Sequence, residues 1–211
     1  MATRNGQRLR AVVLAGGQDQ ATSDLLLQPL AGSTVIEQTL ANVTAVVPKR
    51  GVIIVVAEQD RSIREHLGDS WTYVDQTVQA GTGDAVRCAR FELEGFTGDV
   101  LIAYGDTPLL RSASLRGLLW RHKLKGAQFS LLTAVLPDGE DYGRIRRDPD
   151  GRITEIVDDA DQSADDERIT EVNVGAYVAD NALLIPELDV MAASGEHRLT
   201  ELAQRVIDQG G

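Results

Sequence analysis

The amino-acid sequence predicts an α/β fold with a mostly parallel sheet, helices on both faces and a small β-hairpin annex. Two observations predict this class. Short apolar runs alternate with segments of helical spacing up to residue 137, and alternating strands follow. The first run, residues 11–15, is apolar throughout and stops at Gly16 and Gly17, which is typical of a buried parallel strand. Because strands that alternate with helices form right-handed βαβ units, we expect the first strands to be parallel.

The elements of the first part follow from apolar runs and turn residues. Residues 52–57 are apolar and largely β-branched, which predicts a second buried strand. Further strands are predicted over residues 72–74, 99–104 and 129–136. We expect helices over residues 34–46, 60–67, 84–93 and 112–123, the first with Ser33 or Thr34 as its N-cap.

The second part has the pattern of antiparallel strands. Residues 143–157 alternate around an Asp-Gly turn, which predicts a hairpin. The acidic loop that follows, residues 158–167, is expected to be mostly solvated surface. Residues 171–178 predict a strand and residues 199–207 a closing helix. We expect a single domain over residues 1–211, with one half at about 1–137 and the other at about 138–211.

Composition excludes several classes of protein. The 211 residues carry a formal net charge of −11, which argues against a nucleic-acid binder held by a general positive field. The single cysteine cannot form an internal disulfide, and no apolar run reaches the roughly 18 residues of a membrane span. The first ten residues are polar and basic, unlike a signal peptide, so we expect a cytoplasmic protein with no membrane partner. Only three residues are lysine: Lys49, Lys123 and Lys125.

Three polar features follow predicted strands, where an open parallel sheet binds its ligands. Glycines in residues 14–17 let the backbone approach a phosphate or a ribose. Residues 76–85 combine glutamines with Gly-Thr-Gly and a helix start, which could offer backbone N–H groups and amides to a base or an anion. Asp106 comes directly after a buried strand, where a carboxylate can hold Mg²⁺ against a phosphate.

Each feature also has a plain structural interpretation. A glycine pair after a strand is often just a turn, Thr82 could cap the next helix, and Asp106 or Thr107 could cap the following turn. The sequence has neither a G-x-G-x-x-G fingerprint nor a cysteine and histidine cluster with zinc-ligand spacing. The histidines are expected to be solvated: His66, His122 and His197.

Taken together, the motifs are far more specific than any one of them. They read L-A-G-G, Q-x-x-x-x-G-T-G-x-A, Y-G-D-T-P-L-L, Y-G-R-I with G-x-I-x-x-I-V-D, E-V-N-x-G-x-Y and G-E-x-x-L-T-E, in that order. From about residue 10 to 205, the chain resembles the uridyltransferase domain of the bifunctional N-acetylglucosamine-1-phosphate uridyltransferase family. That family belongs to the sugar-phosphate nucleotidyltransferases, so the resemblance implies their Rossmann-like fold.

The resemblance implies synthesis of UDP-N-acetylglucosamine, a cell-wall precursor, from UTP and N-acetylglucosamine-1-phosphate with Mg²⁺. Asp158 stands where the family usually has glutamate, which shortens the reach of the carboxylate by one methylene. The residues that the resemblance assigns are Leu14, Ala15, Gly16 and Gly17 along the nucleotide, Gln76, Gly81 and Thr82 at the uracil, Tyr104, Gly105 and Asp106 at the phosphates, with Asp106 on the metal, and Gly143, Asp158 and Asn173 at the sugar.

The chain departs from the family where positive charge is needed. After L-A-G-G the family continues with a G-T-R-M stretch and a P-K pair, whose arginine and lysine grip the triphosphate. Residues 18–29 contain neither cation, and the family's G-T-G-H ends here in Asp84. No catalytic residue is therefore assigned. We also expect the family's second metal ligand and its β-helix acetyltransferase domain to be absent.

These departures leave more than one function open. The chain is a uridyltransferase, a related transferase with another base or sugar, or a catalytically impaired homologue. Such a homologue binds nucleotide or nucleotide-sugar, or serves as a structural or regulatory partner. The sequence also leaves open whether it forms a homo-oligomer or works with a partner chain.

Overall fold

The computed structural model describes residues 8–17, 20–137, 139 and 142–210. Ten strands and eight α-helices lie in these residues. The strands are β1 (Leu9–Leu14), β2 (Pro29–Leu30), β3 (Ser33–Thr34), β4 (Val52–Ala57), β5 (Thr72–Gln76), β6 (Asp99–Tyr104), β7 (Phe129–Val135), β8 (Arg144–Arg147), β9 (Ile153–Val157) and β10 (Glu171–Asp180). The helices are α1 (Gln20–Leu26), α2 (Val35–Thr44), α3 (Ser62–Leu67), α4 (Thr82–Cys88), α5 (Arg90–Leu93), α6 (Ser112–Lys125), α7 (Asn181–Ser194) and α8 (Leu199–Asp208).

One large mixed sheet organises these elements. Its strands lie in the order β5-β4-β1-β6-β10-β8-β9, and β7 also pairs with β10. Strand β1 is parallel to both neighbours, with Ala11 opposite Val52 of β4 and Leu101 of β6. Strand β10 is antiparallel to β6, and β8 and β9 form an antiparallel hairpin. The predicted α/β class, with its parallel strands and hairpin annex, is confirmed.

Helices cover both faces of the sheet. The core on one face joins Val13 and Ile54 of the parallel strands to α1, α2, α3 and α6. The other face buries Val12 and Ile53 against α4, α5, α7 and α8. Successive strand residues therefore point to opposite cores, which explains why the strands are apolar without a break.

Local signals account for several element boundaries. Thr34 is the N-cap of α2, as one of the two predicted caps, and it forms a capping box with Glu37. The predicted helix over residues 84–93 is split into α4 and α5. Helices α1 and α7 were not predicted: residues 20–26 read as a polar stretch with an apolar patch, and Pro186 inside α7 is a residue that normally interrupts a helix.

One histidine contradicts the expectation of solvated side chains. His122 is only 3% exposed because α6 turns it towards the sheet. Its Nδ1 lies 2.9 Å from the hydroxyl oxygen of Ser130 on β7, and its Nε2 lies 3.6 Å from a carboxylate oxygen of Asp99. Among the residues described, no helix has the length and apolar character needed to cross a membrane.

Candidate functional site

A cavity of about 380 Å³ opens where β1, β5 and β6 end. These three strands are parallel members of one sheet, so their carboxyl ends meet at the same edge. The last residue of each strand, Leu14, Gln76 and Tyr104, contributes to the wall. The described lining consists of Leu14, Gly16, Gly17, Thr22, Leu26, Gln76, Gln79, Gly81, Thr82, Ala85, Tyr104 and Asp106.

Eight of the thirteen predicted site residues belong to this lining, while Ala15 and Gly105 lie beneath it. The backbone N–H of Ala15 donates to Val55 O at 2.8 Å, and that of Gly105 donates to Leu14 O at 2.8 Å. These bonds tie the ends of β1, β4 and β6 together. Gly16 packs closely against β4, because a Cβ at this position would stand 3.1 Å from the backbone nitrogen of Ala57. Ala15 and Gly105 thus support Gly16 and Gly17 from behind and are not part of the described lining.

The side-chain amide of Gln76, the last residue of β5, holds the loop that follows this strand. Gln76 is 3% exposed, and its Nε2 donates to Gly81 O at 3.2 Å and to Asp84 Oδ2 at 3.1 Å. A Cβ on Gly81 would stand 2.5 Å from His197 O, so only glycine fits between this loop and the loop before α8. The sequence pattern had indicated glutamine and glycine side by side at this edge, and the structure places them so.

The first turn of α4 is less available to an anion than the sequence suggested. The backbone N–H groups of Gly83 and Asp84 both donate to His197 O, at 2.6 and 3.3 Å. The alternative that Thr82 caps this helix is wrong, because Gly81 occupies the N-cap position. The Thr82 hydroxyl instead accepts a hydrogen bond from the backbone N–H of Leu199 at 3.0 Å. The residues of this turn therefore anchor α8 to the cavity wall.

Tyr104 and Asp106 form the wall next to β6. Burial raises the pKa of the Tyr104 hydroxyl, which also hydrogen-bonds the side chains of Tyr177 and Thr82. Desolvation by the surrounding walls raises the pKa of the Asp106 carboxyl. The alternative that Thr107 caps the following turn is not observed, since its hydroxyl donates back to Tyr104 O at 2.8 Å.

The three residues predicted at the sugar lie together but outside this lining. The backbone N–H of Asn173 donates to Gly143 O at 2.8 Å. A Cβ on Gly143 would stand 3.7 Å from Asp158 Oδ1, so the carboxylate is adjacent. Asn173 Nδ2 donates to the Tyr177 hydroxyl at 2.7 Å, and Tyr177 in turn contacts Tyr104. A chain of polar groups therefore connects this second cluster to the cavity.

The described lining of the cavity carries a negative charge and no positive one. Asp106 is its one charged residue, and no lysine, arginine or histidine belongs to it. Two arginines lie close by but are paired. Arg87 binds Asp84 at 2.9 Å, and Arg198 binds Asp158 at 2.7 Å. The predicted deficit of cations extends over residues 18–29, of which Gln18 and Asp19 lie outside the described residues.

Sequence reasoning missed several contributors to the site. Thr22 and Leu26 reach the cavity from α1, a helix that was not predicted. The carbonyl of His197 organises α4 from a segment more than a hundred residues away, which no local pattern indicates. Gln79 and Ala85 lie within the motif that had been singled out, but neither was among the assigned site residues.

Comparison with known proteins identifies the family. A family model described as the MobA-like NTP transferase domain matches residues 11–146, which is more than half of the chain. The chain belongs to the MobA-like NTP transferase family. The matched segment contains all three strand ends of the cavity. The predicted resemblance to nucleotidyltransferases is thereby confirmed.

Individual relatives of this MobA-like domain are also nucleotidyltransferases. It is 37% identical over 198 residues to the bifunctional protein GlmU of Streptococcus pyogenes serotype M18 (strain MGAS8232), covering 91% of the chain and 43% of that protein. GlmU of serotype M12 (strain MGAS2096) is 36% identical over the same length, with 47% of it covered. The chain thus spans less than half the length of the curated relatives it matches.

A solved structure supports the fold independently. A putative glucose-1-phosphate thymidylyltransferase from Bacillus anthracis, in complex with a sucrose, superposes with a TM-score of 0.75 over 96% of this chain and 84% of that chain. The sequence identity is 14%, so this similarity concerns the fold alone.

Proposed function

We propose that this domain transfers the uridylyl group of UTP to N-acetylglucosamine-1-phosphate. The observation that carries the proposal is the meeting of Leu14, Gln76, Tyr104 and Asp106 around one cavity at the carboxyl edge of the parallel strands. The likeness to GlmU over 91% of the chain supports the choice of substrates. A cytoplasmic location, with no nucleic-acid or membrane partner, forms part of the same proposal.

The proposed binding mode uses both halves of the chain. The base lies against Gln76 and Gly81, and the glycine loop, residues 14–17, runs along the nucleotide. The phosphates lie beside Tyr104 and Asp106. The sugar occupies the second cluster, Gly143, Asp158 and Asn173, which joins the cavity through Tyr177 and Tyr104. The nucleotide half is about residues 1–137 and the sugar half about residues 138–211.

The residues present fit a magnesium ion. The structure describes no group of three or more histidine, cysteine, aspartate or glutamate side chains that could hold a metal by itself. Mg²⁺ bound with nucleotides needs only one or two protein carboxylates, because phosphates and waters complete its coordination. Asp106 would supply that carboxylate from the cavity wall. When bound, the ion would neutralise charge on the phosphate oxygens.

The proposed chemistry asks the protein for position more than for reactive groups. A phosphate oxygen of the sugar phosphate attacks the α-phosphorus in line, and the bond from that phosphorus to the bridging oxygen breaks, releasing pyrophosphate. Residues 14–17 and Gln76 would fix the nucleotide, while Gly143, Asp158 and Asn173 would fix the sugar phosphate. Such positioning can account for much of the rate enhancement of a transfer between two bound substrates.

A second candidate function is nucleotide or nucleotide-sugar binding with little transfer. The observation that favours it is the absence of a cation from the described lining. Losing one preorganised group that stabilises developing charge costs about 2.7–4 kcal/mol of barrier. Two such losses, if additive, would slow transfer by roughly four to six orders of magnitude, although groups that act as a unit are seldom additive.

One pair of measurements separates the two candidates. A coupled pyrophosphate-release assay with UTP, N-acetylglucosamine-1-phosphate and Mg²⁺ tests transfer, and titration calorimetry with UDP-N-acetylglucosamine tests binding. Turnover above that of an Asp106→Asn control supports the transferase. Binding without turnover supports the second candidate. A folded sample that neither binds nor turns over rejects both.

A further inference from the structure

Asp84 is the residue that distinguishes this loop, since the family that the chain resembles has histidine there. It lies in the first turn of α4, is 8% exposed and faces the side chain of Gln76. Its Oδ2 accepts from Gln76 Nε2 at 3.1 Å, and its Oδ1 accepts from Arg87 Nη2 at 2.9 Å. Both carboxylate oxygens are therefore engaged, and the carboxylate is fixed between a cation and an amide.

This contact decides which way the Gln76 amide points. A primary amide has an NH₂ group that only donates and an oxygen that only accepts. The two protein groups at this amide, Gly81 O and Asp84 Oδ2, both accept, so the NH₂ group must face them. The oxygen, Oε1, is then directed to the glycine loop, 3.6 Å from where a Cβ on Gly16 would stand. Gly16, Gln76 and Gly81 all line the cavity.

A fixed carbonyl oxygen selects among bases. Uracil carries an N–H group at N3, which can donate to Oε1, whereas cytosine has a lone pair at N3 and would have to shift in the cavity to offer its 4-amino group. To bind cytosine in the same way, the amide would have to flip, which would turn its oxygen towards the oxygens of Asp84 and Gly81. Buried acceptors that face one another without a hydrogen bond cost free energy, so the flip is disfavoured.

We propose that Asp84 is a positioning residue that orients the Gln76 amide and so sets the preference of the cavity for a base with an N–H group at this edge. Without Asp84 the NH₂ group keeps only the neutral bond to Gly81 O, and a flipped amide can serve cytosine. This inference rests on the proposed function, because it requires a nucleotide base in the cavity.

The test compares UTP and CTP binding by titration calorimetry in the presence of Mg²⁺. For the wild-type protein we expect UTP to bind at least tenfold more tightly than CTP. In Asp84→Ala this ratio should fall by about tenfold, which corresponds to the free energy of one hydrogen bond to a charged group. The matched control is Cys88→Ala, one turn further along α4, which should keep the wild-type ratio.

Each outcome bears on a different claim. If the wild-type protein bound neither UTP nor CTP, both the proposed function and this inference would be overturned. UTP binding with no preference over CTP, or an unchanged ratio in Asp84→Ala, would overturn the inference alone. Should Asp84→Ala fail to fold by circular dichroism, Asp84→Ser replaces it, because its hydroxyl is one bond short of the carboxylate oxygen. The wild-type preference remains a test that needs no variant.

Discussion

Gly175 links the central strand β10 to the cavity wall, and replacing it with alanine tests that link. It lies at the register shift of β10 between Asn173 and Tyr177, with φ at +78°. A Cβ at this position would stand 2.5 Å from two ring carbons of Tyr104. Since no side chain tolerates such an approach, either the Tyr104 ring or the strand must move.

The expected loss of stability has two parts. A non-glycine residue in left-handed backbone costs roughly 1–2 kcal/mol. Forcing a methyl group against a packed ring adds about 1–3 kcal/mol. Gly151→Ala isolates the first part, because Gly151 has φ of +80° in the hairpin turn and a Cβ there would meet nothing within 4 Å. We therefore expect Gly175→Ala to be the more destabilised variant by about 1–3 kcal/mol.

Urea denaturation of the two variants measures this difference, and UTP titration measures its effect on the cavity. Gly175→Ala should also weaken UTP binding, because the displaced Tyr104 ring lines the cavity, whereas Gly151→Ala should leave it unchanged. Equal unfolding free energies for the two variants would show that Tyr104 does not pack against Gly175. Equal UTP affinities would show that Tyr104 has no part in nucleotide binding.

Three further predictions concern the metal, acid stability and the core. EDTA should weaken UTP binding to the wild-type protein but not to Asp106→Asn, as calorimetry would show; equal sensitivity would remove Asp106 as a metal ligand. The Arg146 guanidinium holds the pKa of the Asp166 carboxyl well below 3.8, so the stability from this pair is present above about pH 4 and is lost as the pH falls towards the lowered pKa. Asp166→Asn should therefore lose less stability than the wild type between about pH 5 and pH 3 in urea titrations. Leu188→Ala, at a buried position of α7, should cost about 2–5 kcal/mol, and the exposed Phe91→Ala less than about 0.5 kcal/mol; similar melting temperatures would contradict this packing.

The sheet could be predicted because its signal is local. Strands β1, β4 and β6 are short apolar runs ended by glycine or polar residues, and burial on both faces requires that pattern. Helix α7 shows the limit of local signals. Its buried Leu184, Leu188 and Met191 have helical spacing, yet Pro186 between them indicates a break. The packing of α7 against the sheet outweighs the hydrogen bond that the proline removes.

The position of the cavity could also be predicted from the sequence, whereas that of the sugar cluster could not. Parallel strands bring their carboxyl ends to one edge, so polar residues after β1, β5 and β6 had to meet. Gly143 and Asp158 instead meet at the open end of the β8–β9 hairpin, and Asn173 joins them because β10 pairs with β8. Only the resemblance to a family pointed to them, and only the structure shows their connection to the cavity through Tyr177.

The excess of carboxylates in this chain has a direct consequence near the cavity, because they occupy the neighbouring arginines. Two arginines near the proposed substrate positions are already bound to carboxylates: Arg87 to Asp84, and Arg198 to Asp158, Asp161 and Glu201. To serve a triphosphate, Arg198 would first have to leave three carboxylates, whose repulsion would then oppose the incoming anion. The described lining itself offers no cation for the phosphates, and Mg²⁺ held at Asp106 would supply positive charge there. Nucleotide affinity should for this reason depend on Mg²⁺ much more steeply than the ionic-strength effect of the same divalent salt would explain.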